Sequence, residues 1–587
     1  MDSNLLKTKS IEQLVGDAEH GGKALRRTLT AMDLTLLGIG AIIGTGIFVL
    51  TGTAAANQAG PGIVLSYVIA GLACGFAALC YAEFAAMIPI SGSAYTYAYA
   101  TLGEVFAWMI GWDLILEYAV GSMTVAVGWS GYFQRILAGF GLHLPVWMSA
   151  SPDVAAGTVI NIPAVLIVLG IMVLLVIGVR ESARFNAAMV TVKLAAVAFF
   201  IVVGVTYVKP ENWSPFMPYG FSGVMTGAAV VFFAYIGFDA VSTTAEEAKN
   251  PSRDLPIGII ASLIVCTVLY LAVAGILSGI IPVAQYRSVA EALPGTPIVS
   301  AAESTLFLNA PVGYALNVIN KDWAAGLVSA GAVAGITSVL LVMLMSQPRI
   351  FFAMSRDQLL PAGVSKVHPR FRTPYITTII TCTIVAIVAG FVPIQILGEM
   401  TSIGTLFAFV VVSLAVIILR VKRPEARRPF RVPLGFTIPI LGVIFCVYLM
   451  VSLSVMTWVR FLGWLDAGMV IYWFYGRTHS PLVNRTEAAA RSGAEAFANF
   501  CKISGYMLLF NGFCITLLAY LTEFGVTNET LARWHELDAL LTRVNGVTGL
   551  SMHISPEIAD AFGLKIVLAG GVVTALGFVL GRSSSKR

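Results

Sequence analysis

The chain has 587 residues, of which 58% are hydrophobic and 11% are Asp, Glu, Lys or Arg. A soluble domain carries roughly 25% charged residues, so a soluble globular protein is excluded. The apolar residues fall in blocks of roughly 20, the length of helix that crosses a bilayer core, so the chain reads as one polytopic unit and not as three or four soluble domains. The net charge of +5 fits a basic rim facing lipid headgroups and calls for no nucleic-acid partner.

The first 30 residues are polar and charged; no cleavable signal peptide is expected, and the first span directs insertion. Apolar blocks bounded by Pro, Gly or charge run at about 32 to 55, 61 to 86, 105 to 137, 161 to 179, 186 to 208, 223 to 245, 256 to 281, 323 to 347, 375 to 391, 396 to 419, 434 to 456, 459 to 476, 503 to 522 and 563 to 581. They predict about fourteen transmembrane helices. With the N-terminus inside, inner segments hold 27 of the 36 Lys and Arg, outer segments hold 8, and Lys193 lies within a span. The positive-inside rule therefore predicts that both termini are cytoplasmic. The loop 282 to 322, with Pro294, Pro297 and Pro311, is expected to fold over the outer face, and 482 to 502 to connect to the last two spans. Seven cysteines lie in or beside apolar blocks and never as CxxC, so neither zinc nor a disulfide framework is expected.

The first span contains GIGAIIGTGIF, residues 38 to 48, with Gly38, Gly40, Gly44, Gly46 and Thr45 at mid-membrane depth. Each interior glycine weakens a helix by roughly 1 kcal/mol relative to alanine. Gly40 and Gly44 form a GxxxG pair suited to close helix packing. Four glycines in nine residues also fit an unwound segment, where the amides opening the next half-helix would suit a carboxylate. The sixth span has a matching interruption, FFAYIGFDA, residues 232 to 240, centred on Gly237. Its freed carbonyls would suit an ammonium group. Broken helices at equivalent places in oppositely oriented halves point to an inverted repeat with substrate at the interface, and one site for each charge describes an α-amino acid.

Ionisable residues at depth are Asp113, Glu117, Lys193 and Asp239, and each needs a partner or a task. Apolar burial disfavours the charged form of an amine, so Lys193 reads as a proton-coupling group or as a static charge partner. Carbonyls near Ile42 and Ile43 and the hydroxyls of Thr337 or Ser338 are its expected contacts. Glu117 reads as the acceptor of a cationic substrate side chain or as a structural partner to Lys193 or a tyrosine. No histidine falls in a predicted span, and GxxxxGK[ST], HExxH and GxSxG are absent, so neither a P-loop ATPase nor an enzyme is expected.

GIGAIIGTGIF, FFAYIGFDA with EEAKNPSRDLPIGI (246 to 259), FAMSRDQLLP (352 to 361), HPRFRTP (368 to 374) and RRPFRVPL (427 to 434) resemble the amino acid, polyamine and organocation transporter superfamily. Within it they resemble the bacterial relatives of the cationic amino acid transporters, over about residues 25 to 480. The resemblance implies an all-α polytopic membrane protein of leucine-transporter type: a cytoplasmic segment 1 to 30, inverted five-helix repeats over 31 to 210 and 211 to 420, helices 11 and 12 over 421 to 480, and a connector with helices 13 and 14 over 481 to 587. It implies carboxylate binding at the amides of Thr45 and Gly46, ammonium binding at the carbonyls of Ile42, Phe233 and Ile236, an acidic pocket residue at Glu117, and Lys193 in place of a sodium ion. Gln358 departs from the glycine usual in its motif.

The resulting expectation is a secondary active transporter of cationic or small neutral L-amino acids in the plasma membrane, driven by protons, with no cofactor or metal. An amino acid exchanger and an amino acid sensor are the alternatives; a channel lacks its repeated filter segment. Substrate, protons and membrane lipids are the expected partners.

Overall fold

The computed structural model describes residues 28–88, 93–152, 154, 157–177, 183–286, 301–371, 373–480 and Asn511; the expected spans at 503 to 522 and 563 to 581 lie outside the described residues. Among the described residues the chain is helical, and the only extended pairing is a bridge between Leu29 and Ala248. It divides into two units, Met1–Arg356 with Ala362–Met450, and Asp357–Pro361 with Val451–Arg587.

In the first unit, α1 (Ala31–Ile42) is followed by tight π- and α-type turns over Gly46–Ala59, then by α2 (Ile63–Met87). The chain continues through α3 (Ser93–Thr101), α4 (Glu104–Gly139), α5 (Ile162–Ile177), α6 (Ala183–Gly204), α7 (Gly220–Val231) and α8 (Pro251–Ile280). Two short helices, α9 (Ala301–Asn309) and α10 (Pro311–Val318), precede α11 (Asp322–Arg356), α12 (Tyr375–Phe391), α13 (Ile394–Lys422) and α14 (Thr437–Val451). Among the described residues, seven helical runs are long and apolar enough to cross a bilayer, and Ala31–Ile42, Ile162–Ile177 and Tyr375–Phe391 are shorter apolar helices. The 42 residues of Gly46–Met87 span roughly 63 Å at 1.5 Å per residue, enough for two crossings. Gly60, at φ 60°, and Pro61 interrupt that run.

Lipid tails are as apolar as leucine, so these helices associate through close fit. Gly38 on α1 makes room for Ser262 on α8, and Gly258 on α8 makes room for Leu34, whose Cβ would stand 2.8 Å from an added methyl. On α11, Gly335 would place a methyl 2.9 Å from the Lys193 Cβ, and Gly331 would place one 2.5 Å from the Ala196 Cβ. This seam lets α6 approach closely enough to deliver the lysine.

Thr30 and Asp33 form a capping box at the start of α1. Just before it, Thr28 and Leu29 donate to the Glu247 carbonyl and Lys249 donates back to Leu29, which ties the entry of the first span to the end of the sixth. The RRPFRVPL stretch is anchored by Glu83 of α2: Arg420 donates to both its oxygens, Arg428 pairs with it at 3.3 Å, and the Val432 amide donates at 2.8 Å. Beyond α8, the Leu308 carbonyl of α9 accepts from Thr53 of the first span at 3.4 Å, and Phe307 of α9 and Pro311 of α10 lie against Gly52. Helices α9 and α10 thus cover the second half of the first span.

In the second unit, Ser454 caps α15 (Val455–Ile471), Arg477 lies over the Trp473 ring at 4.3 Å, and Asn511 donates to Asp466 at 2.8 Å.

Candidate functional site

The first break falls just after α1. Ile43 is extended (φ −74°, ψ 104°) and its amide closes the last turn on the Ile39 carbonyl. Gly40 lies inside α1, and Gly44 lies in the break, where a methyl would stand 3.1 Å from Val339 of α11. The next half-helix opens at Thr45 and Gly46, and the first backbone acceptor taken up is the Gly44 carbonyl, by Phe48 at 3.3 Å. The amides that open a helix have no acceptor within it.

The second break follows α7 and the tight turn Phe232–Tyr235. Ile236 is extended, and Gly237 is left-handed at φ 117°, a conformation that favours glycine. A methyl at Gly237 would also stand 2.9 Å from the carbonyl carbon and oxygen of Ala41. Reciprocally, a methyl at Gly46 would overlap Cα and Cβ of Ala234. Each break therefore needs a glycine because the other break's backbone lies against it.

The carbonyls named from the sequence divide in their contacts. Ile42 accepts from the Tyr270 hydroxyl at 3.0 Å, and Phe233 accepts from the Ile236 amide at 3.2 Å. Among the described residues no donor meets the Ile236 carbonyl. Tyr270, on α8, also lies 2.6 Å from the Ala234 carbonyl. A hydroxyl has one proton, so it serves one break at a time. Tyr67 and Tyr235 pack around its ring at 5.3 and 5.2 Å. Thr45 reaches the Val125 carbonyl of α4 at 3.5 Å, and Gly128 makes room for its methyl. Tyr270 and Gly128 were not anticipated; tyrosine and glycine in apolar spans look like ordinary filling.

Lys193 is fully buried, and its Nζ donates to the Gly40 carbonyl at 2.6 Å and to the Ile43 carbonyl at 3.1 Å. The two carbonyls flank the end of α1, so the ammonium grips the first break. The hydroxyls expected beside it bond elsewhere: Thr337 donates to Val333 and accepts from Trp129, and Ser338 donates to Gly335. Glu117 is 3% exposed and does not pair with Lys193; its electrostatic neighbours are Asp239, Asp113 and Thr405. Ile42, Thr45, Phe233 and Ile236 are each at most 4% exposed.

Two interrupted helices meet break to break inside a helical body long and apolar enough for a bilayer, the architecture of an integral membrane protein. The chain belongs to the amino acid permease family, which it matches over residues 29–475. It is 52% identical over 484 residues to the branched-chain amino acid permease BcaP of Bacillus subtilis (strain 168), covering 82% of this chain and all of that relative. It is 49% identical over 480 residues to a methylthioribose transporter of the same strain, covering 82% and 99%. Against the vacuolar cationic amino acid transporter 4 of Arabidopsis thaliana it is 37% identical over 429 residues, covering 72% and 68%.

Proposed function

We propose that the chain carries L-amino acids with cationic or small neutral side chains across a plasma membrane by alternating access, driven by protons. In this reading residues 31 to 210 and 211 to 420 are inverted five-helix repeats of leucine-transporter type, the remaining helices are additions, and both termini are cytoplasmic. The supporting observation is the mutual contact of the breaks, Gly46 on Ala234 and Gly237 on Ala41. One break offers opening amides at Thr45 and Gly46, suited to a carboxylate. The other, with Ile42, offers carbonyls at Phe233 and Ile236, suited to an ammonium. Two of the three relatives above are named for amino acids.

Lys193 supplies the link to protons. Its two bonds to the first break are charge-assisted while the amine is protonated and weaken when the proton leaves. Protonation and the geometry of the break then bias each other reciprocally. Glu117 is assigned to substrate choice, through attraction of a guanidinium or ammonium head.

Substrate-dependent thermal stabilisation of the purified protein tests the site. L-Alanine, L-serine and L-arginine should stabilise it, and their decarboxylated amines and α-hydroxy acid analogues should not. Equal stabilisation by an analogue lacking either group would place the site elsewhere. Stabilisation by methylthioribose alone would overturn the amino acid reading.

A further inference from the structure

Asp113 lies one turn before Glu117 on α4 and is 0% exposed. Neither of its carboxyl oxygens has a hydrogen-bond partner among the described residues. The niche is shaped for it: α13 presents Gly404, where a methyl would stand 2.8 Å from Oδ1. The charged groups nearby offer it no counter-ion. Its own helix contributes Glu117, and the stretch after the second break contributes Asp239 beside Glu117. Tyr95 of α3 lies against Gly111 on the same turn of α4. Tyr97 of α3 faces Asp239 and Ser242, and Ser93 faces Asp239. From α13 comes the Thr405 hydroxyl beside Glu117, and from α11 comes Arg349, whose charge is felt at Tyr118.

An ionised carboxylate held this way, out of water and without a donor or cation, is among the costliest arrangements a protein can contain. Buried polar atoms left without partners call for a specific cause, and both carboxyl oxygens of Asp113 are such atoms, beside two further acids.

We propose that Asp113 is a proton-binding site separate from Lys193, filled in the closed form described here and emptied when water reaches α4 between Asp113 and Glu117. On opening, the O–H bond of the acid breaks, the proton passes to water, and the carboxylate that remains is hydrated. On closing, the same proton must return. The opening step rests on the alternating-access reading above; the occupancy of the site does not.

Two measurements test this. The infrared spectrum of the purified parent at neutral pH should contain a protonated-carboxyl stretching band, sensitive to deuterium, that is missing in Asp113→Asn and displaced in Asp113→Glu. A parent spectrum from which neither replacement removes or moves such a band overturns the proposal. The second measurement is labelling of a Thr405→Cys reporter by a water-soluble thiol reagent over a pH series. If opening releases one proton from Asp113, labelling divided by the thiolate fraction of the reporter, taken from its own rate in denaturant at each pH, should still speed up with rising pH by up to about tenfold per unit, and this remaining dependence should vanish in Asp113→Asn and persist in Asp113→Glu. An equal pH slope in the reporter protein with and without Asp113→Asn overturns the coupling of Asp113 to opening. A reporter never labelled, with or without substrate, counts against alternating access itself and leaves the infrared result to decide Asp113.

Discussion

Gly46 of the first helix break lies directly against Ala234 of the second, with no room for even one methyl between them. The reciprocal contact of Gly237 with Ala41 makes the two breaks a single structure, so that a change at either is transmitted to the other. Both contacts are backbone contacts. In the proposed reading these contacts hold the part common to all α-amino acids, and side-chain selection is assigned to Glu117 of α4.

Gly46→Ala should accordingly damage binding without abolishing insertion. Forcing a methylene into a packed contact costs about 1–3 kcal/mol, and if that cost falls on the closed, ligand-bound form it weakens affinity by roughly fivefold to 150-fold. Substrate-dependent thermal stabilisation measures it. An unchanged dissociation constant would show that the ligand does not require the two breaks in contact.

Tyr270→Phe removes the hydroxyl that lies between the Ile42 and Ala234 carbonyls and leaves the ring packed on Tyr67 and Tyr235. The loss of one hydrogen bond, about 0.5–1.5 kcal/mol, should lower affinity by a few-fold for every substrate alike. A loss confined to one side-chain class would mean that Tyr270 reads the side chain.

Glu117→Gln should weaken arginine and lysine more than alanine, because the removed charge acts on a cationic head and not on the backbone of the ligand. Competition binding with the three ligands decides it. An equal loss for all three would assign Glu117 to structure.

Glu83→Gln leaves the buried Arg420 and Arg428 without their carboxylate. Breaking a buried ion pair on one side costs about 3–5 kcal/mol, so the variant should unfold at distinctly lower temperature or denaturant, and adding Arg420→Gln should recover part of the loss. Simple additivity of the two replacements would contradict the pairing.

Some of this was legible in the sequence because it depends on local chemistry. Four glycines within 38 to 48 and Gly237 weaken their helices wherever they are placed, and a lysine nine residues inside a span is costly in any fold. The partners were legible only in part: the Ile43 carbonyl was among the expected contacts of Lys193, the Gly40 carbonyl was not. Lys193 bonds neither Thr337 nor Ser338, whose hydroxyls bond Val333, Trp129 and Gly335 instead, and the Gly331 and Gly335 seam that seats α6 on α11 exists only in three dimensions. The same holds for Gly404, which reads as one more glycine until Asp113 is seen in the space it leaves. Helix α3 escaped notice because nine residues of Ser, Thr, Tyr and Ala are too short and too polar to read as a span.

The most direct test of the account is accumulation of a labelled amino acid by the purified protein in liposomes with an inward proton gradient, for the parent and for Lys193→Ala. The parent should concentrate substrate against its gradient. The variant should fail to do so and yet exchange or bind substrate, because the carboxylate and ammonium positions do not include the lysine. Proton-driven accumulation by Lys193→Ala at the parent's rate, or no response of the parent to the gradient, would contradict it.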